Sequence, residues 1–454
     1  MPVLLTTDLL FFAVLFGFVV MAWRMARQEH LRRPWRKVAG NRSAMVSLVI
    51  LLAYLLIAVL DSLRFYPSND QGSQTGSPYI GEPVTLLDQS LGFLRNRTEK
   101  TYSSPLAVYG FAREMIRESD GREHWGLPRL QFAGTHLADP GHERVSDVVR
   151  KTLLGFAKGF SVWLFVACVW HLWRRHRARQ DVMVPWGVVG LTLLGLCTLS
   201  GVLAELGAHY HVLGTGKVGE DVLYQSLKSI RTGILIGTLT TFATLPLALV
   251  LGVLAGYSGG WVDDVIQYLY ATLNSIPGVL LIAAAMLVMQ SYMAKHEAEF
   301  ASLALRADFR LLALCLILGM TSWTGLCRLL RAETLKLKEM EYIQASRVLG
   351  VSQSRILMRH ILPNLFHLVL ISITLDFSSL VLAEAVLSYI NIGVDPAMES
   401  WGNMINSARL EMAREPVVWW SLMSAFCFMF ILVLSANLFA DAVRDAFDPR
   451  RVES

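Results

Sequence analysis

The sequence predicts an all-α polytopic membrane protein, and three observations carry that prediction. Of its 454 residues 54% are hydrophobic, and the mean hydropathy is +0.45. That is more apolar surface than a soluble chain of this length buries, so the excess belongs in lipid. The apolar residues gather into nine stretches of about 20 residues, the length at which a helix crosses the hydrocarbon layer with its backbone satisfied. Charged residues are only 17% of the chain and lie mostly between those stretches.

The stretches fall near 4–23, 43–62, 152–173, 186–206, 232–255, 264–290, 311–330, 365–389 and 417–440. The first has no basic residue before it and Arg24, Arg27, Arg32, Arg33, Arg36 and Lys37 after it. That asymmetry predicts an uncleaved helix with its N-terminus outside and the basic segment in the cytoplasm. Alternation then puts Arg174, Arg175, Arg177 and Arg179 inside. It also puts inside Arg331, Lys336, Lys338, Arg347, Arg355 and Arg359, and the tail with Arg444, Arg450 and Arg451. An odd number of spans brings all three basic clusters to the cytoplasmic side, with the C-terminus.

Between the second and third stretches, residues 64–150 are polar and fall outside. The segment opens on a Gly-, Pro- and Ser-rich run, Tyr66 to Pro78. A helix is expected over Ser104 to Arg117 and irregular backbone over Arg122 to Gly141. A small extracytoplasmic domain and a partly disordered excursion both fit this composition.

Several chemistries are disfavoured. A net charge of +5 with basic residues beside apolar spans reads as membrane orientation and gives no case for nucleic acid. Cys168, Cys197, Cys315, Cys327 and Cys427 are scattered through apolar stretches with no CxxC pair, as small hydrophobes. Gly214 to Lys217 is no phosphate loop, because His211 holds the place of the first glycine and Val218 follows the lysine. His296-Glu297 lacks the second His of a zinc-protease helix. His209 and His211 read as interfacial side chains. No catalytic, cofactor or metal site is expected in this chain.

The polar loop over 331–363 is the most specific feature. Glu341 to Leu349 are good helix formers that end at Gly350, which accepts a left-handed conformation cheaply. Ser352 would cap a second helix, and Pro363 suits the first turn of the following span. The outcome is a short helix across the cytoplasmic ends of the bundle, with small Ala345 and Ser346 on it. From pattern alone an ordinary cytoplasmic helical hairpin fits as well.

This loop resembles the EAA signature of the permease subunits of ATP-binding cassette (ABC) importers. Gln344, Ala345, Ser346, Gly350, Leu362 and Pro363 stand at its positions, with Gln344 in place of the usual Glu and Ser346 in place of the second Ala. Gln344 keeps length and hydrogen bonding but loses the charge, and Glu341 could partly substitute. Four other regions are similar to dipeptide and oligopeptide permeases: Leu213 to Val222, Gly252 to Asp263, Leu382 to Ser388 with Ser400 to Met404, and Asp441 to Arg450. In order and spacing they cover about residues 185–450. The chain is thereby similar to the C-type permease of the peptide/nickel transporter family.

The resemblance implies a six-helix permease core over 185–454, with coupling loop 331–363. Ahead of it stand helices and a basic linker in 1–63, the external insertion 64–150, and a further helix with a basic loop in 151–184. It implies coupling to an ATPase through Glu341, Gln344, Ala345, Ser346, Gly350 and Pro363, and import of peptides across a bacterial inner membrane. It implies as partners a second permease subunit, one or two ABC ATPases that bind ATP and Mg, an extracytoplasmic substrate-binding protein and membrane lipid.

Asp376 and Glu384 lie eight residues apart on one span and so roughly on one face. A carboxylate there is expensive unless it meets the bundle interior or water. They either line the pathway, where they could meet a peptide's amino group, or hydrogen-bond to neighbouring helices or the second permease. Two other classes remain open at this stage: a secondary transporter or channel using these carboxylates, and a membrane scaffold or sensor.

Overall fold

The computed structural model describes residues 2–3, 5–27, 29–66, 83–117, 123–176, 184–297, 299–300 and 302–447. The Gly-, Pro- and Ser-rich run beyond Tyr66, residue Arg122, and the basic residues Arg177, Arg179, Arg450 and Arg451 lie outside these. The long helices are α1 (Thr6–Arg27), α3 (Arg42–Ser62), α6 (Pro140–His176), α7 (Trp186–Gly207), α8 (Val222–Ser258), α11 (Leu303–Lys338), α14 (Leu362–Tyr389) and α16 (Trp420–Phe447). Shorter ones are α2 (Glu29–Gly40), α4 (Leu86–Ser90), α5 (Gly92–Arg95), α9 (Gly260–Ser275), α10 (Gly278–Lys295), α12 (Glu341–Val348), α13 (Gln353–Ile356) and α15 (Trp401–Glu411). Among the described residues strand structure is confined to β1 (Pro2–Val3), β2 (Arg64–Phe65), β3 (Val84–Thr85), β4 (Glu114–Arg117) and β5 (Glu123–Gly126), all antiparallel where paired. The chain is an all-α polytopic membrane protein.

Among the described residues, eight helices are long and apolar enough to cross a membrane. The expected span over 264–290 is not one helix. It is α9 and α10, divided at Ile276 and Pro277, because proline carries no amide hydrogen and clashes with the preceding turn. The stretch 311–330 lies within the longer α11, which is not among the eight; much of that helix is buried, including Leu311, Leu314, Leu318, Cys327 and Leu330.

The chain divides into two compact units, which do not follow chain order. One holds residues 35–232 and 399–435, and the other 5–34, 233–398 and 436–454.

In the first unit, α6 and α7 form a hairpin with almost no gap. A Cβ on Gly155 would stand 2.7 Å from the Gly201 carbonyl oxygen, and one on Gly159 would collide with the Cys197 carbonyl. Close approach through small residues is how helices gain contact where lipid removes the hydrophobic drive. Helix α3 joins α16 through the Tyr54 hydroxyl, which donates to the Phe428 carbonyl at 3.0 Å.

The described part of the insertion is folded. The expected helix over Ser104–Arg117 is absent: Pro105 and Gly110 interrupt it, Leu106 takes a positive φ of 55°, and Glu114–Arg117 pair with Glu123–Gly126 as a hairpin. Two charge clusters tie this segment to the start of α8. Asp88 receives Lys228 at 2.8 Å and the Tyr224 hydroxyl at 2.7 Å. Burial opposes the Asp88 charge, but the Lys228 ammonium and these hydrogen bonds hold its carboxyl down at about 2.

In the second cluster His211 is buried, with Nδ1 2.8 Å from Asp221 Oδ2 and Nε2 3.5 Å from Glu99 Oε1. Its expected interfacial placement is therefore corrected, since two carboxylates draw the ring inward. Burial works against the imidazolium; the hydrogen bond to Asp221 and the two carboxylate charges beside the ring outweigh it and push His211 up to about 9. Glu99 in turn accepts from the backbone amides of Gln131 at 3.0 Å and Phe132 at 2.8 Å.

In the second unit, α8 lies against α11 through Gly252 and Gly256. A Cβ on Gly252 would be 2.8 Å from the Cys327 carbonyl oxygen, and one on Gly256 would be 2.7 Å from that of Arg331. Helix α1 starts against α11: the hydroxyls of Thr6 and Thr7 both donate to the buried Asp308 carboxylate. At the other end of α11, Arg331 grips Asp263 of α9.

Candidate functional site

Helix α12 begins one turn after α11 ends, with Glu341 in its first turn, where a carboxylate meets the positive end of the helix dipole. A single apolar residue fastens it. Ile343 is fully buried in a cluster with Leu337, Ile356, Ile361 and Leu365. The outer face shows the reverse: Val348 is 88% exposed and Leu349 80%. Isolated exposed apolar side chains are ordinary, but two adjacent ones at the tip of a short, anchored helix form a knob.

Gly350 ends the helix as expected. Its φ is +75°, its amide donates to the Arg347 carbonyl at 3.1 Å, and the Val351 amide donates to the Ser346 carbonyl at 3.1 Å. Those two bonds define a Schellman turn, which needs a left-handed residue at that position. A Cβ there would meet nothing within 4 Å, so glycine serves the backbone conformation and not space.

Gln344 folds back to donate to Glu339, to its carbonyl at 3.3 Å and its carboxylate at 3.2 Å. A glutamate in that place would set two carboxylates against each other, so the departure from the signature fits its neighbour. Ala345 is exposed, and the half-buried Ser346 donates to the Tyr342 carbonyl at 2.8 Å. The Arg347 guanidinium lies 5.5 Å from the centre of the Tyr257 ring, linking α12 to the end of α8.

Pro363 stands in the first turn of α14, also as expected. Helix α13 is only one turn long and runs through a π-helical turn, Leu357–Ile361, into α14. Within it the Leu362 amide donates to the Leu357 carbonyl, five residues back. The wide turn relieves the clash that Pro363 would make with a carbonyl four residues earlier. Ser352 occupies the N-cap position, but its side chain makes no capping hydrogen bond, contrary to expectation. Asn364 beside Pro363 donates to the Tyr342 hydroxyl at 3.0 Å and so joins α14 to α12.

Glu341, Gln344, Ala345, Ser346 and Gly350 thus share one helix-turn unit, with Pro363 beyond α13 and the π-helical turn, at the start of α14. Sequence reading passed over Ile343, Val348, Leu349 and Tyr257. The signal for them was an isolated isoleucine in a polar run, followed by two apolar residues before the glycine.

The two membrane carboxylates have different surroundings. Glu384 is buried and accepts from the Ser388 hydroxyl at 2.7 Å. Asp376 borders a recess lined by Thr241, Thr244 and Leu245 of α8, Ser322 and Leu326 of α11, and Ile373, Ser379 and Leu380 of α14. Eight residues of helix separate them by about 12 Å, so they do not share one site.

A family described as the binding-protein-dependent transport system inner membrane component matches residues 248–453. The chain is 30% identical over 292 residues to a glutathione transport system permease protein of Pectobacterium atrosepticum, covering 61% of this chain and 90% of the relative. It is 26% identical over 280 residues to an oligopeptide transport system permease protein of Bacillus subtilis, covering 58% and 85%. To the oligopeptide transport system permease protein of Mycobacterium tuberculosis H37Rv it is 32% identical over 239 residues, covering 53% and 76%. The chain belongs to this family of binding-protein-dependent inner-membrane components and is an ABC importer permease of its peptide/nickel branch.

Proposed function

We propose that the chain is one of two permease subunits of an ATP-driven importer that carries di- and oligopeptides into the bacterial cytoplasm. The observation that carries this reading is the anchored α12 helix, with buried Ile343 behind it and the exposed Val348–Leu349 knob before the Gly350 turn. A helix so held transmits a push from a docked protein into α8, α11 and α14, and so biases a bundle between two states. The relatives' names, which speak of oligopeptides and glutathione, support the peptide class.

On this reading one or two ABC ATPases bind ATP and Mg, and dock where Glu341, Gln344, Ala345, Ser346 and Gly350 stand. Pro363 fixes the start of α14 behind them. An extracytoplasmic binding protein delivers the cargo. The chain hydrolyses nothing itself. Its N-terminus is outside and its C-terminus cytoplasmic, as the basic residues flanking the spans support. The core runs over 185–454, and the N-terminal helices, the insertion 64–150 and the segment 151–184 are additions to it. Asp376 borders the pathway, and Glu384 shapes α14 further toward its outer end.

The test is peptide uptake by cells that lack the chain and carry either the wild type or Gly350→Asp. Uptake restored by the wild type and lost in the variant, with equal amounts of both in the membrane, is the expected result. Undiminished uptake in Gly350→Asp would sink the coupling role of α12.

A further inference from the structure

The recess beside Asp376 has a chemical character of its own. Thr241, Ser322 and Asp376 lie near the middles of α8, α11 and α14, so the recess sits deep in the span. Among the described residues no side-chain hydrogen bond or ion pair reaches the Asp376 carboxylate. Three of the four hydroxyls that line the recess, all but that of Ser322, have spent their hydrogens on their own helices. Thr241 donates to the Gly237 carbonyl at 2.6 Å, Thr244 to that of Thr240 at 2.9 Å, and Ser379 to that of Asp376 at 2.8 Å. Each oxygen keeps its lone pairs. The recess therefore offers one carboxylate, three hydroxyls held as acceptors and the Ser322 hydroxyl, with no basic side chain among its lining residues.

Such a set repels anions and fits a compact cation with several N–H donors. An unpartnered carboxylate at that depth either takes up a proton or is completed by water or such a cation. We infer that the Asp376 recess is a station on the transport pathway that receives the primary ammonium group of the cargo. This rests on the peptide-import reading and names the cargo group that this part of the chain would recognise. The ammonium would lie against Asp376, with two of the hydroxyls of Thr241, Thr244 and Ser379 taking its two remaining hydrogens. A cargo whose amino group is blocked would lose that contact, because an amide offers neither the charge nor the three donors.

The experiment measures uptake of trialanine and N-acetyltrialanine in cells carrying the full transporter, with wild-type chain, Asp376→Asn, Asp376→Glu or Thr241→Val. Discrimination by the binding protein is common to all four and cancels when their ratios are compared. The expected result is a preference for trialanine that falls about tenfold in Asp376→Asn, the size of one lost charged hydrogen bond. It should fall in the same direction in the isosteric Thr241→Val and recover in Asp376→Glu. If the acetylated peptide is not taken up at all, an approximately tenfold rise in the KM for trialanine is the corresponding readout.

Uptake of neither peptide by the wild type would overturn the import reading and this inference with it. Uptake of trialanine with ratio and KM unchanged in both Asp376→Asn and Thr241→Val would overturn the inference alone. Loss of the second permease from purified Asp376→Asn complexes would mean that Asp376 pairs with that subunit, and would overturn it also.

Discussion

Arg331 and Asp263 meet twice, Nε to Oδ1 at 2.5 Å and Nη2 to Oδ2 at 2.6 Å, and so lock the late part of α11 to the first turn of α9. Two-pronged guanidinium–carboxylate pairs are directional as well as strong, and this one is mostly shielded from water. It stands one helical stretch before α12, so it fixes the base from which α12 projects.

Asp263→Ala should leave Arg331 partly buried without its partner and cost about 2–3 kcal/mol of stability. Differential scanning fluorimetry in detergent measures this as a lowered midpoint. The hydrogen bonds from Arg331 hold the Asp263 carboxyl below its ordinary range. A depressed folded-state pKa gives stabilisation that is present above the unfolded value near 4 and is lost as pH falls through the lower folded value. The wild type should therefore lose more stability than Asp263→Ala between pH 5 and pH 3, a window set by that direction.

The His211 cluster has the opposite sign. Its folded pKa, raised to about 9, gives stabilisation that is complete below the unfolded value near 6.5 and is lost as pH rises through 9. Protease cleavage of the insertion should accelerate as pH rises from about 6.5 to about 9. His211→Phe, which strands Glu99 and Asp221 with no imidazolium, should make the insertion cleavable already at pH 7. The cost is about 3–5 kcal/mol. Equal resistance of wild type and variant at pH 7 would show that the cluster does not hold the insertion.

Gly159→Ile probes the α6–α7 hairpin. A side chain there has no room against the Cys197 carbonyl, so the helices must part, at a cost of about 1–3 kcal/mol or more. Ser200→Ile, an exposed position on α7, should cost little by comparison. Thermal midpoints of the two variants in one detergent decide it.

The spans and the Gly350 turn were readable because each rests on a local rule. Length and hydropathy mark α3, α7 and α16, and one residue, Gly350, writes the Schellman turn into the chain. What stayed hidden depends on distant residues. Nothing near His211 announces that Glu99, over a hundred positions earlier, will close on it. The hairpin of β4 and β5 was misread as helix because Glu114 to Arg117 carry fair helix propensity, and only pairing with Glu123 to Gly126 overrides it. The break at Pro277 was missed because the apolar run continues through it.

Val348 and Leu349 make a prediction of their own. If the knob docks on an ATPase, Val348→Asp should weaken that association about tenfold or more, because it puts a charge into an apolar socket. Stability of the chain should hardly change, since the side chain is 88% exposed. Salt-resistant retention of the ATPase on immobilised chain measures the difference.

On the proposed function this chain is half of a permease driven through α12 by an ATPase. Purification of the tagged chain from its native membranes, with quantitative identification of what accompanies it, tests that most directly. A second permease and one or two ABC ATPases are expected in stoichiometric amounts, with the ATPases lost from Val348→Asp and Gly350→Asp while the second permease stays. A chain that purifies alone, or with the same partners in both variants, would contradict it.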